Sequence, residues 1–167
     1  EDCDIEMRNI SFQYDGPRSQ KVIDNLSITI PANKVTAIVG ASGSGKTTIL
    51  KMLLRFFDPV EGDILLGGSS LSSYSVKKWR QNCGVVMQEG YIFSDTILNN
   101  ICISDSEIDN KRVIKAAKQA CIDNFINSLP MGYNTQIGAD GHGLSSGQKQ
   151  RILIARAIYK NAKYIFL

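Results

Sequence analysis

Gly40-Ala41-Ser42-Gly43-Ser44-Gly45-Lys46-Thr47 follows an apolar run, Val35 to Val39, and opens into a helix-like run, Thr48 to Phe57. A buried strand, a glycine loop and a helix in that order make a phosphate-binding P-loop. Each part has a physical job. The glycines let backbone N–H groups turn inward around a polyphosphate. The helix N-terminus adds partial positive charge at the same point. Lys46 is expected to reach the terminal phosphates, and the Thr47 hydroxyl is a hard oxygen ligand suited to Mg2+.

The rest of the composition narrows the class. At 167 residues, 43% apolar and 21% charged, the chain reads as one globular domain with a sizeable core. A net charge of +3 gives no concentrated basic patch, so no nucleic-acid partner is expected. The basic clusters Lys77-Lys78-Arg80 and Lys111-Arg112 with Lys115 and Lys118 read as solvated helix faces. Cys3, Cys83, Cys102 and Cys121 lack metal-ligand spacing, and His142 is the only histidine, so a zinc site is not expected and reduced thiols are. No apolar run approaches the ~18 residues that cross a bilayer.

Along the chain, Ile5 to Tyr14 and Val22 to Ile30 read as strands around a turn at Asp15-Gly16-Pro17, the second with one wet face. Proline disfavours helix in the residue before it, so the helix after the P-loop is expected to end at Asp58-Pro59. Gly62 to Leu66 and Cys83 to Met87 read as short strands. Val113, Ala116, Ala117, Ala120 and Cys121 fall at helical spacing. A glycine-rich loop follows, then a helix from Ser145 to about Lys160 and a final strand, Tyr164 to Leu167. Trp79 and Phe56-Phe57 read as packing, and His142 as a solvated loop residue.

A second constellation decides the kind of P-loop protein. Leu144-Ser145-Ser146-Gly147-Gln148 precedes Lys149-Gln150-Arg151-Ile152 and Ala155-Arg156-Ala157. This resembles the Leu-Ser-Gly-Gly-Gln signature of ABC ATPases and the helix after it, with Ser146 in place of the usual first glycine. A helix N-terminus offering a hydroxyl, a flexible glycine and an amide suits anionic oxygens. The resemblance extends over essentially the whole chain. It implies an α/β P-loop NTPase (RecA-like) core with an N-terminal antiparallel β subdomain and an inserted α-helical subdomain. The core would take residues 1–88 and about 150–167, and the helical subdomain about 89–149.

The resemblance also implies the ligands. ATP and Mg2+ would be bound by Gly40, Ser42, Gly43, Ser44, Gly45, Lys46, Thr47 and Thr48, with Tyr14 stacking on adenine and Val22 in the same set. Gln88 ends its strand as the family's glutamine does where it touches Mg2+ and the attacking water, so Lys46 and Gln88 are the expected catalytic pair and Thr47 and Gln88 the metal ligands. Ser145, Gly147 and Gln148 would face the ATP of a second such domain in a head-to-tail dimer.

Two more segments resemble the exporter branch: Tyr91-Ile92-Phe93-Ser94 with Thr96-Ile97 and Asn100-Ile101, and Thr135 to Gly141, where Ala139 replaces the usual acidic residue and Asp140 follows it. In exporters these regions lie near the intracellular helices of the transmembrane domains. The implied activity is ATP hydrolysis driving export of a solute or peptide, on the cytoplasmic face of a membrane. In the family the final strand continues into an aspartate and a glutamate. The expectation is therefore a domain incomplete at its C-terminus that binds Mg-ATP and hydrolyses it poorly.

The alternative is a soluble ABC-class ATPase. Only about 55 residues separate Gln88 from Leu144, too few for a long coiled-coil arm at 1.5 Å per helical residue. A GTPase would carry an Asn-Lys-x-Asp sequence, which is missing, and a purely regulatory nucleotide module leaves the exporter-like segments unexplained.

Overall fold

The computed structural model describes residues 3–87, 90–103, 107–139 and 141–167. The chain divides into two compact units, Glu1–Arg80 and Gln81–Leu167.

The first unit is built on an antiparallel sheet of order β2-β1-β3-β4, from β1 (Ile5–Phe12), β2 (Ile23–Ile30), β3 (Glu61–Leu66) and β4 (Ser69–Ser70). Central β1 buries Ile5, Met7, Ile10 and Phe12. β2 alternates half-buried Leu26, Ile28 and Ile30 with exposed residues, the wet-faced strand its period of two predicts. The register slips between Met7 and Ile10, where Asn9 takes a φ of 51° and bonds Ser27 and Asn25 across the pair. Gly62 sits opposite at φ 83°, and a Cβ there would lie 2.3 Å from the Arg8 carbonyl oxygen. The bulged strand bends at this point.

Helix α1 (Lys46–Leu53) buries Thr48, Ile49, Met52 and Leu53. It ends four residues short of the position expected from Pro59. Arg55 adopts the left-handed conformation at φ 56°, its N–H bonds the Met52 carbonyl at 2.8 Å, and the Phe56 N–H bonds the Lys51 carbonyl at 2.8 Å. That is a Schellman stop, with arginine where glycine is usual. Side chains from the next helix, α2 (Val76–Gln81), complete it: Trp79 Nε1 donates to the Leu53 carbonyl, and Arg80 to the carbonyls of Leu54 and Arg55. Arg80 is thus a helix stop rather than part of a solvated face, while Lys77 and Lys78 are exposed.

The expected strand Val35 to Val39 does not form. Val35 is 100% and Val39 89% exposed, and among the described residues no ladder includes this segment. An apolar run becomes a strand only when a neighbouring strand pairs its backbone, and among the described residues none does.

In the second unit, β5 (Cys83–Val85) pairs in parallel with β8 (Tyr164–Phe166). The long helix α6 (Ser146–Tyr159) lies between two apolar clusters. Ile152, Ala155 and Tyr159 face Ile97, Ile101, Val113, Ala116 and Ile126. Leu153 and Ala157 face Val86. The first cluster is completed by α3 (Ile97–Ile101), α4 (Asn110–Gln119) and α5 (Asp123–Ser128). Alanines 116, 117, 120 and 155 let these helices approach closely. Arg112 is not a solvated charge either: its guanidinium lies 4.4 Å over the Tyr159 ring and donates to the Tyr159 carbonyl. A short ladder, β6 (Asp95–Thr96) with β7 (Gln136–Ile137), closes the unit. Among the described residues no disulfide joins cysteines, and no helix is long and apolar enough to cross a membrane.

Candidate functional site

The glycine loop presents a bare helix end. Gly45 caps α1 at φ 89°, no side chain bonds the first turn, and no acidic residue lies in it. The amides of Lys46, Thr47 and Thr48 have no partner among the described residues, so three donors point out of the positive end of the helix. Glycine is required at the cap twice over. Its φ excludes a side chain, and a Cβ would lie 2.5 Å from Ile23 Cδ1 and 3.2 Å from the Val22 carbonyl oxygen. Val22, just before β2 and bonded through its N–H to the Phe12 carbonyl, is therefore the wall against which the loop rests.

Lys46 folds back on its own loop. Its Nζ donates to the carbonyls of Gly40 at 2.8 Å and Ala41 at 2.7 Å, with Ser44 Oγ at 3.3 Å. The Ser44 N–H closes a turn to the Ala41 carbonyl. The ammonium thus sits where the loop's carbonyls converge. Gly43 takes a φ of 81°, and Ser42 and Thr47 are exposed, with no bond to either hydroxyl among the described residues.

Tyr14 joins this end of the helix. Its hydroxyl and Thr48 Oγ1 are 2.8 Å apart. Its ring stands edge-on to Phe12 at 5.0 Å and to Phe57 at 5.4 Å. The residue is 47% exposed, so part of its surface stays open to solvent. Gln88 lies outside the described residues, as does Asp140.

Mg2+ can be tested against this donor set. Among the described residues no cluster of His, Cys, Asp and Glu could hold a metal. The free Thr47 hydroxyl at the bare helix end is a hard oxygen donor, which suits Mg2+ shared with phosphate oxygens rather than caged by protein.

The signature segment is arranged oppositely. Ser145 caps α6, its Oγ accepting from the Gln148 N–H at 3.2 Å while Gln148 Oε1 accepts from the Ser145 N–H at 2.8 Å. This capping box uses two backbone amides and two acceptor oxygens. It leaves the Ser145 O–H, the Gln148 NH2 and the amides of Ser146 and Gly147 as donors.

A third feature joins the two exporter-like segments, about 40 residues apart. Asp95 and Thr96 pair with Ile137 and Gln136, the Ile97 N–H bonds the Thr135 carbonyl, and the Ala139 N–H bonds Ser94 Oγ. Gly138, at φ 100°, lies against the backbone of Phe93 and Ser94. His142 is exposed and donates its N–H to the Gln136 carbonyl, beside this ladder. Beside it opens a cleft of about 510 Å³ lined by Phe93, Ser94, Asp95, Asn99, Cys102, Ile103 and Ile108. Behind it, Asn100 is completely buried and bonded to Arg156 of α6. The sequence reading quoted both residues without a role. The helical register carried the signal, since Arg156 is four residues after Ile152 and three before Tyr159, on the buried face.

The family profile described as ABC transporter matches residues 23–167. The chain is 47% identical over 163 residues to ABC transporter B family member 13 of Arabidopsis thaliana, covering 98% of this chain and 13% of that protein. It is 42% identical over 164 residues to an ATP-dependent lipid A-core flippase of Haemophilus influenzae, covering 98% of this chain and 28% of the flippase. Among solved structures, that of a bacterial Atm1-family ABC exporter with ATP bound superposes with a TM-score of 0.92 at 39% identity, over 99% of this chain and 29% of that one. The chain thus spans from 13% to 29% of the length of these proteins. With a family profile matched over residues 23–167, relatives 42–47% identical over 98% of the chain and a mixed α/β fold carrying an antiparallel sheet, the chain belongs to the ABC transporter family.

Proposed function

We propose that this chain is the ATP-binding domain of a membrane exporter, and that the intact protein binds and hydrolyses ATP to drive export of a solute or peptide. The observation that carries this reading is the bare N-terminus of α1, where three amides have no partner among the described residues and Lys46 is bonded to the carbonyls of Gly40 and Ala41. Exchanging two carbonyls for anionic phosphate oxygens is favourable for the ammonium, because charge-assisted bonds are roughly twice as strong as neutral ones. Tyr14 then stacks on adenine, with Val22 and Thr48 behind it. Gly40, Ser42, Gly43 and Ser44 wrap the phosphates.

We read residues 1–88 with about 150–167 as the P-loop core and about 89–149, which carry α3, α4 and α5, as the inserted helical subdomain. Thr47 and Gln88 would hold Mg2+, which would supply positive charge to phosphate oxygens. Lys46 and the amides of residues 46–48 stabilise the charge that builds during in-line attack by water. Gln88 orients that water.

Two such domains pair head to tail, and the donors left on Ser145, Gly147 and Gln148 face the ATP of the partner domain. The cleft beside β6 and β7 receives the transmembrane domains, at the cytoplasmic face of the membrane. The names of the relatives, a flippase and an exporter, support the transport role.

Titration of the intact protein with MgATP, beside Lys46→Ala, tests the reading. Saturable binding that weakens in the variant supports it. Equal affinity in both proteins removes Lys46 from the phosphate site.

A further inference from the structure

Asn100 is a completely buried amide with every bonding position used. Its Nδ2 donates to the carbonyls of Phe93 and Thr96, both at 3.0 Å. Its Oδ1 accepts from the Phe93 N–H at 2.9 Å and from Arg156 Nη2 at 3.2 Å. Arg156 spreads three donors over the same segment: Nε to the Asn100 carbonyl at 2.8 Å, Nη2 to Asn100 Oδ1, and Nη1 to the Tyr91 carbonyl at 3.0 Å. Its guanidinium also lies 5.5 Å from the centre of the Phe93 ring, which itself stacks edge-on to Tyr91.

The chemistry is specific. The planar fork bonds the backbone carbonyl and the side-chain amide oxygen of one residue together in a fixed geometry. Burial pulls the Arg156 guanidinium down from its usual range, although the side chain stays partly exposed. A fully satisfied buried polar network fixes one arrangement, because each broken bond strands a desolvated group.

We propose that Arg156 is a positioning residue that locks Tyr91–Asn100 to α6, so that the helix beginning at Ser145 and the cleft lined by Phe93, Ser94 and Asp95 move as one body. It rests on the exporter reading, and assigns to one side chain the link between the signature end of α6 and the surface that meets the membrane partner. Arg156 acts through its bonds to Tyr91 and Asn100. Its effect is on how far occupancy at one end is felt at the other.

The test uses the intact protein in liposomes, with MgATP as the probe, and compares Arg156→Lys, Asn100→Ser and the pair. In each single variant MgATP affinity stays within about twofold of the parent, while hydrolysis coupled to the membrane domains falls about tenfold, inside the ~5–150-fold span of ordinary coupling energies. The double variant loses no more than either single one, because both cut the same link. Coupled hydrolysis within twofold of the parent in Arg156→Lys overturns the proposal, as do losses that multiply in the pair. Amide exchange in the unsubstituted protein tests it should both variants fail to fold. The Phe93 N–H and the α6 amides near Arg156 then open as one unit, with equal exchange free energies and equal denaturant dependence. Independent opening of Phe93 overturns the proposal. Absence of MgATP binding by the unsubstituted protein defeats the exporter reading instead, and leaves the exchange result standing.

Discussion

The N-termini of α1 and α6 solve the same electrostatic problem in opposite ways. Both begin in a small-residue loop and present partial positive charge. α1 starts at a glycine with no side chain to offer, and its first three amides have no partner among the described residues. α6 starts at a serine whose hydroxyl and a glutamine amide satisfy two amides internally. A bare end is costly without a ligand and grips one strongly. A capped end is stable by itself and offers only side donors. On the proposed function, the bare end is the one that takes a polyphosphate and the capped end the one that meets the nucleotide of a partner domain.

The largest expected effect breaks the bare end. Lys46→Ala removes the one cation of the stretch Gly40 to Thr47, and a charged hydrogen bond is worth about 1.5–3 kcal/mol. MgATP affinity should fall roughly 10- to 150-fold in a fluorescence titration. Stability without nucleotide should hardly change, since the ammonium bonds only exposed groups.

An exchange of caps sharpens the contrast. Serine is a preferred N-cap residue, so by propensity alone Gly45→Ser would stabilise α1. The geometry says otherwise: φ is 89° and a Cβ would meet Ile23 Cδ1 at 2.5 Å. Gly45→Ser should lower unfolding free energy by about 2 kcal/mol. The reverse change, Ser145→Gly, should cost only a few tenths, and Ser145→Ala about 1 kcal/mol. Urea denaturation of the three variants checks the ordering. A stabilised Gly45→Ser would show that the loop conformation is not held by its wall at Val22 and Ile23.

What the sequence made legible follows from where each signal lives. The phosphate loop and the signature helix are local: glycine spacing, a cap residue and helical periodicity are written within fifteen residues, and α6 begins one residue after Ser145 as read. Val35 to Val39 is not local. Its strand identity depends on a pairing partner, and apolar composition says nothing about whether one is present. The end of α1 was misjudged because Pro59 is only a late barrier. The actual stop is Arg55 in a left-handed turn, tied down by Trp79 and Arg80 from more than twenty residues away. Arg80 and Arg112 looked like solvated charges for the same reason. Charge is visible in a sequence, but the carbonyls or ring it will meet are not.

The smallest effect separates the two roles available to Gln148. If it only meets nucleotide from a partner domain, removing it leaves the unliganded protein as stable as before. The reciprocal bonds at 2.8 and 3.2 Å say that it also holds Ser145 in place. Gln148→Ala should then cost about 0.5 kcal/mol in urea without nucleotide, the low end for a lost cap interaction. Gln148→Glu keeps the acceptor for the Ser145 N–H and adds negative charge to the first turn, so it should restore or exceed parental stability by about 0.3–1 kcal/mol. The same variant loses the NH2 donors and sets a carboxylate toward phosphate, so MgATP-dependent pairing of two domains should weaken even as the fold strengthens. Stability and pairing that fall together in both variants would mean that the box is incidental. Opposite movement in Gln148→Glu means that one side chain shapes the helix end with its oxygen and greets the ligand with its nitrogen.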